Sequence, residues 1–129
     1  MARNPKSLVL DSWAVLAYLG GESASQQVAD LLTNANEAST PICMSLINAG
    51  EVWYILAREN SEDQADKAVA DLLNLGIEMV GPDWPLTRSA AVFKAHKRMS
   101  YADCFAAALA KERKAELVTG DKEFKQVEG

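Results

Sequence analysis

Four short apolar segments, separated by stretches with helical periodicity, constrain the fold of this chain more than any other feature. Parallel strands that are buried on both faces appear as continuous apolar runs, and they need helices to connect them. The alternation therefore predicts an α/β fold, a three-layer α/β/α domain with a central, mostly parallel sheet of four strands. The four strands are expected at Ser7 to Asp11, Pro41 to Ser45, Ile77 to Val80 and Ala115 to Thr119.

The segments between the strands predict six helices and a short final turn. Serine precedes several of these segments, and a serine before an apolar run is a favourable helix N-cap. A chain of 129 residues is expected to form one domain, covering positions 1–129. The helices are expected from Trp13 to Leu19, from Ser23 or Ser25 through Leu32, from Ser45 through Leu56, from Ala65 to Leu73, from Pro85 to about Arg98 and from Ser100 to Arg113.

Composition removes several classes of protein from consideration. Apolar residues make up 49% of the chain, which excludes a disordered segment. No apolar run approaches the roughly 20 residues that span a membrane, so we expect no membrane partner. Only two cysteines occur, and this low number favours a reducing compartment, the cytoplasm.

Acidic residues occur where functional sites form in open parallel sheets, at the carboxyl ends of strands. Asp11 and Asp121 follow predicted strands, whereas Glu51 and Asp103 fall in the first two turns of predicted helices. Taken singly, each has an ordinary structural explanation, such as a helix cap at Asp11 or a capping box from Ser100 to Asp103. Taken together, the four acids predict a shared site at one edge of the sheet.

Clustered carboxylates need a reason to stay together. Two unit charges ~5 Å apart repel by about 3 kcal/mol at an effective dielectric constant of ~20, and a bound cation removes that cost. Hard oxygen ligands without a group of His or Cys favour Mg²⁺ or Mn²⁺. One or two such ions activate water and stabilise a phosphoryl oxygen, so the expected reaction is phosphodiester hydrolysis.

Four segments of this sequence resemble the PIN-domain family of metal-dependent ribonucleases, and within it the VapC-like toxins of bacteria. No segment is specific alone, but the four occur together, span nearly the whole chain and follow the family's order. The segments are VLDSWAVLAYL (Val9 to Leu19), SLINAGEVWYIL (Ser45 to Leu56), SYADCFAAALA (Ser100 to Ala110) and LVTGDKEF (Leu117 to Phe124).

The resemblance implies an endoribonuclease that cleaves RNA with Mg²⁺ or Mn²⁺, in a PIN-like domain. VapC-like members usually form homodimers, and a small antitoxin inhibits them by laying its C-terminal part across the active groove. The chain departs from the family by ending at Gly129, where members commonly continue into an edge strand. By resemblance, the acidic metal site, which is also the catalytic site, is formed by Asp11, Glu51, Asp103 and Asp121, and its supporting hydroxyls are Ser12 and Thr119.

The net charge of −5 argues against a nucleic-acid binder, but the four candidate acids account for most of it. Lys94, Lys97 and Arg98 precede Asp103 and could contact RNA phosphates, although a solvated helix face explains them equally well.

Other mechanisms and roles were compared with this hypothesis. A Ser–His–Asp mechanism has no supporting motif, and the single histidine, His96, is expected on the surface. Both cysteines and the aromatic residues Trp13, Trp53, Tyr54 and Trp84 are expected in the core. Two alternatives stay open: a catalytically inactive PIN-like interaction module, and a PIN nuclease of RNA processing without an antitoxin.

Overall fold

The computed structural model describes residues 7–20 and 25–119 of the chain. No helix in these ranges combines the length and apolar character needed to cross a membrane. In the described residues, four strands alternate with six helices, as the sequence predicts. The strands are β1 (Leu8–Leu10), β2 (Ile42–Ser45), β3 (Glu78–Val80) and β4 (Glu116–Val118), and the helices are α1 (Ser12–Gly20), α2 (Ser25–Glu37), α3 (Leu46–Glu59), α4 (Glu62–Asn74), α5 (Trp84–His96) and α6 (Tyr101–Arg113).

The four strands form one parallel sheet in the order β3-β2-β1-β4. From β1 the chain moves outward through β2 to β3, and it then returns to the opposite side of β1 to add β4. The strand order therefore reverses at β1, and ligand sites in open α/β sheets lie outside the carboxyl ends of strands at such a reversal. Leu10 at the end of β1 is paired with Val118 at the end of β4, so both strands end at the same level.

Two apolar cores, one on each face of the sheet, confirm the three-layer arrangement. Leu8 and Leu10 of β1 point into a core with α1 to α4, whereas Val9 points into the other core with α5 and α6. Four alanines of α6, Ala106, Ala107, Ala108 and Ala110, are buried, so this helix lies close to the sheet with few large side chains between them.

Helix boundaries follow the capping signals in the sequence. The side chains of Ser45, Ser61 and Ser100 accept hydrogen bonds from the backbone N–H three residues later, as N-caps do. Gly76, with φ of +83°, follows α4 in a conformation that favours glycine. Some helix ends differ from the expected positions: α2 continues past Leu32 to Glu37, and α5 ends at His96, two residues before Arg98.

The aromatic residues do not fill the core as expected. Trp13 is 38% exposed, Tyr54 43% and Trp84 70%. Trp53 is half-buried, and its indole N–H donates to Asp66 Oδ1 at 2.9 Å, which connects α3 to α4 at the surface. The prediction failed because helical spacing places several residues near an apolar face without showing how large a side chain the space beside the sheet accepts.

The opposite environments of two adjacent leucines in α4 give a test of this packing. Leu72 is 1% exposed and Leu73 is 53% exposed. We expect Leu72→Ala to lower the free energy of unfolding by about 2–5 kcal/mol, because it leaves a cavity in the core. Leu73→Ala, the matched control, should change it by less than about 0.5 kcal/mol. Urea denaturation measures both values, and equal losses would show that α4 is oriented differently.

Candidate metal centre

Asp11 lies at the point where the strand order reverses, directly after β1. Its side chain is fully buried, and its Oδ1 accepts a hydrogen bond from the Ala14 N–H at 2.8 Å. Its backbone N–H donates to the Val118 carbonyl of β4 at 3.4 Å. The capping explanation for Asp11 is therefore correct, but a carboxylate is costly to bury and an exposed cap would serve the helix equally well. Complete burial beside β4 indicates a role beyond capping.

Asp103 approaches the same edge of the sheet from α6. Ser100 caps this helix, and its Oγ accepts a hydrogen bond from the Asp103 N–H at 3.1 Å. The Asp103 side chain, in the first turn, is only 8% exposed. The N-terminus of a helix favours a negative charge, so α6 helps to stabilise this carboxylate in its buried position.

A buried set of uncharged polar groups, here named the Asn48 junction, connects the segments that carry these acids. It consists of Ser12, Ser45, Asn48 and the carbonyl of Ala102. Asn48 Nδ2 donates to Ser12 Oγ and to the Ala102 carbonyl, both at 3.1 Å. Ser45 Oγ donates to Asn48 Oδ1 at 2.6 Å, and Ser12 Oγ donates to the Asn48 carbonyl at 3.2 Å.

The junction brings together residues from three distant parts of the chain. Ser12 follows Asp11 directly, and Ala102 precedes Asp103 directly, so each buried aspartate is the sequence neighbour of a junction residue. Glu51 lies on α3 three residues after Asn48, the spacing of one helical turn, and is half-buried.

The structure describes one of the two remaining predicted site residues. Thr119 follows β4 directly and is half-buried. Asp121 lies outside the described residues. Within residues 7–20 and 25–119, no three His, Cys, Asp or Glu side chains form a ready-made metal site.

The donor set fits a hard cation. Mg²⁺ is commonly held by one or two carboxylates, with waters and substrate phosphates completing its coordination, so two buried aspartates are a sufficient protein contribution. Thiols offer no competing chemistry, because Cys43 and Cys104 are buried, as expected. Burial raises the pKa of the Cys43 thiol, which leaves less of the reactive thiolate.

The basic residues predicted to contact substrate differ in their surroundings. Lys94 Nζ donates to the Met99 carbonyl at 2.7 Å, so this ammonium group is bonded to the loop between α5 and α6. Lys97 is half-buried and Arg98 exposed in that loop, and His96 is exposed as expected. Lys94 therefore has a structural contact, and the phosphate-binding role of Lys94, Lys97 and Arg98 stays a prediction.

A model of the PIN domain family matches residues 8–129. The chain belongs to the PIN-domain family. This membership agrees with the parallel sheet and with the acids at its carboxyl edge. The search of curated protein sequences gives no match.

Solved structures of PIN-domain toxins share this fold. VapC20 of Mycobacterium tuberculosis, described as a toxin that cleaves the sarcin–ricin loop, aligns with a TM-score of 0.72 at 21% identity over 94% of this chain and 95% of its own. VapBC2 of Rickettsia felis, bound to a promoter DNA fragment, aligns with a TM-score of 0.70 at 18% identity over 93% and 92%. A toxin–antitoxin complex from Klebsiella pneumoniae gives 0.66 at 19% identity over 92% and 90%.

Sequence reasoning overlooked the importance of Asn48. Ser45 is recognisable as a helix cap, and the spacing of Asn48 and Glu51 places them on one helix face, but the sequence does not show which groups Asn48 contacts. A usable signal was present, because an amide three residues after the cap of an otherwise apolar helix face must find hydrogen-bond partners when it is buried.

The Lys94 contact predicts a loss of stability that is independent of any substrate. We expect Lys94→Met to lower the free energy of unfolding by about 1 kcal/mol, because the Met99 carbonyl loses a charged donor. Lys67→Met, on an exposed position of α4, is the control and should change it by less than about 0.5 kcal/mol. Urea denaturation in EDTA measures both variants. Equal values would show that the contact between Lys94 and the Met99 carbonyl does not stabilise the fold.

Proposed function

We propose that this chain is a Mg²⁺- or Mn²⁺-dependent endoribonuclease and the toxin of a toxin–antitoxin pair. The observation that carries the proposal is the burial of Asp11 and Asp103 beside one junction at the reversal of the sheet. Membership of the PIN-domain family supports hydrolysis of RNA as the reaction. The proposed unit is a single domain over positions 1–129.

Each candidate residue has a role in this proposal. Asp11 and Asp103 hold one or two metal ions, together with Glu51 and Asp121, directly or through water. When bound, the metal supplies a water of lowered pKa and stabilises charge on the phosphoryl oxygen. Ser12 and Thr119 orient these ligands from beside them.

The Ser12 hydroxyl has a restricted part in this site. Its proton is donated to the Asn48 carbonyl, and it accepts one hydrogen bond from Asn48 Nδ2. A hydroxyl has one proton and two lone pairs, so the Ser12 oxygen can still accept one further hydrogen bond. Ser12 therefore acts by accepting a hydrogen bond from an ordered water or by lending an oxygen to the metal.

The partners follow from the same comparison. The Klebsiella structure is a toxin–antitoxin complex, and the Rickettsia structure is VapBC2 on promoter DNA. We propose by analogy that this chain forms a homodimer, binds a small antitoxin protein and acts on RNA in the cytoplasm. Lys94 at the end of α5, with Lys97 and Arg98 in the loop before Asp103, are the proposed contacts to RNA phosphates.

The variant Asp103→Asn tests the metal centre directly. We expect it to abolish RNA cleavage while leaving the unfolding free energy in EDTA unchanged or raised, because it removes a repulsive charge and keeps the shape of the side chain. Millimolar Mn²⁺ should raise the melting temperature of the wild type and hardly affect the variant. Gel assays of RNA fragments with Mg²⁺ and with EDTA, and thermal denaturation with and without Mn²⁺, measure these effects.

Asp71→Asn is the matched control, because it makes the same charge change at an exposed position of α4. It should cleave RNA like the wild type and keep the Mn²⁺ effect. A wild type that neither binds Mn²⁺ nor cleaves RNA would favour the interaction module. Cleavage by a wild type that binds no antitoxin encoded beside its gene would favour RNA processing. Cleavage that survives in EDTA would contradict the metal centre.

A further inference from the structure

The Asn48 side chain makes three hydrogen bonds, using both of its amide protons and its amide oxygen. The two protons go to Ser12 Oγ on α1 and to the Ala102 carbonyl on α6, and Oδ1 accepts from Ser45 Oγ at the end of β2. The contact to Ala102 fixes the orientation of the amide, because a carbonyl can only accept and would face another oxygen if Oδ1 and Nδ2 were exchanged. Asn48 is also fully buried, so water does not compete for these groups.

The segments that Asn48 connects carry the proposed metal ligands. Asp11 adjoins Ser12, Asp103 adjoins Ala102, and Glu51 lies one turn further along the helix of Asn48 itself. These carboxylates repel one another in the absence of a cation. Their attraction to a metal ion therefore cannot assemble the site before the ion binds. An uncharged amide can hold the three segments together without adding to the negative charge.

We infer that Asn48 is the positioning residue of the metal centre, holding α1, α3 and α6 at the separation that the ion requires. This inference rests on the proposed function. Asn48 touches neither the metal nor the RNA, and it acts through Ser12 and through the backbone before Asp103. It is therefore the affinity for metal, more than the catalytic rate at saturating metal, that depends on Asn48.

The test compares Mn²⁺ binding by the wild type, Asn48→Ala and Asn48→Ser, measured by electron paramagnetic resonance of free Mn²⁺. Loss of a residue that orients metal ligands typically weakens binding about 10- to 100-fold, and we expect Asn48→Ala to raise the dissociation constant at least about tenfold. The serine variant retains one hydroxyl donor and should fall between the two. All three side chains are uncharged, so the shift reports geometry rather than charge.

Leu32→Ala is the control for a general loss of stability, because Leu32 is buried in α2, a helix that carries no proposed ligand. It should destabilise the fold yet keep the Mn²⁺ dissociation constant within about twofold of the wild type, since the ligand separation is unchanged. Circular dichroism establishes which variants are folded at the measuring temperature. If Asn48→Ala is unfolded there, the dissociation constant of Asn48→Ser decides the test.

The possible results separate this inference from the proposed function. A folded Asn48 variant with the Mn²⁺ affinity of the wild type overturns the positioning role and leaves the metal centre intact. A wild type that binds no Mn²⁺ overturns the metal centre itself. A loss of affinity in Leu32→Ala equal to that in Asn48→Ala also overturns the positioning role, because general destabilisation would then explain both.

Discussion

Burial of two acidic side chains, Asp11 and Asp103, is the constraint on which the proposed site depends. Asp11 and Asp103 are both buried at the same edge of the sheet. The loss of hydration and the repulsion between like charges both oppose folding there. The Asn48 junction counteracts these costs with hydrogen bonds between uncharged groups of residues that are 36 and 54 positions apart in the chain. The site is thus assembled by uncharged groups rather than by the proposed carboxylate ligands themselves.

The architecture around the junction explains why this edge is used. Because β4 returns to the free side of β1, α1 and α6 begin on either side of one strand end. Both helices direct their N-termini to this edge, and helix N-termini favour negative charge. A pair of aspartates at these positions is therefore more easily tolerated here than elsewhere on the surface of the sheet.

Much of this could be predicted from the sequence because the signals are local. Apolar runs gave the strands, and Ser45 and Ser100 marked the helices that carry Glu51 and Asp103. The junction could not be predicted in the same way, since the partners of Asn48 come from segments whose proximity depends on strand order. The prediction that Trp84 is buried in the core was wrong for a related reason. Helical spacing shows which residues share one face of a helix, but not the depth of the space opposite that face.

The central claim is that the two buried aspartates and the Asn48 junction together define a site for a divalent cation. Anomalous diffraction from crystals grown with Mn²⁺ tests this claim most directly, because it locates the ion without reference to activity. The account predicts a peak at the carboxyl edge of the sheet, between the side chains of Asp11 and Asp103 and next to Ser12. Ordered Mn²⁺ found only at other positions, with this edge filled by water alone, would contradict it.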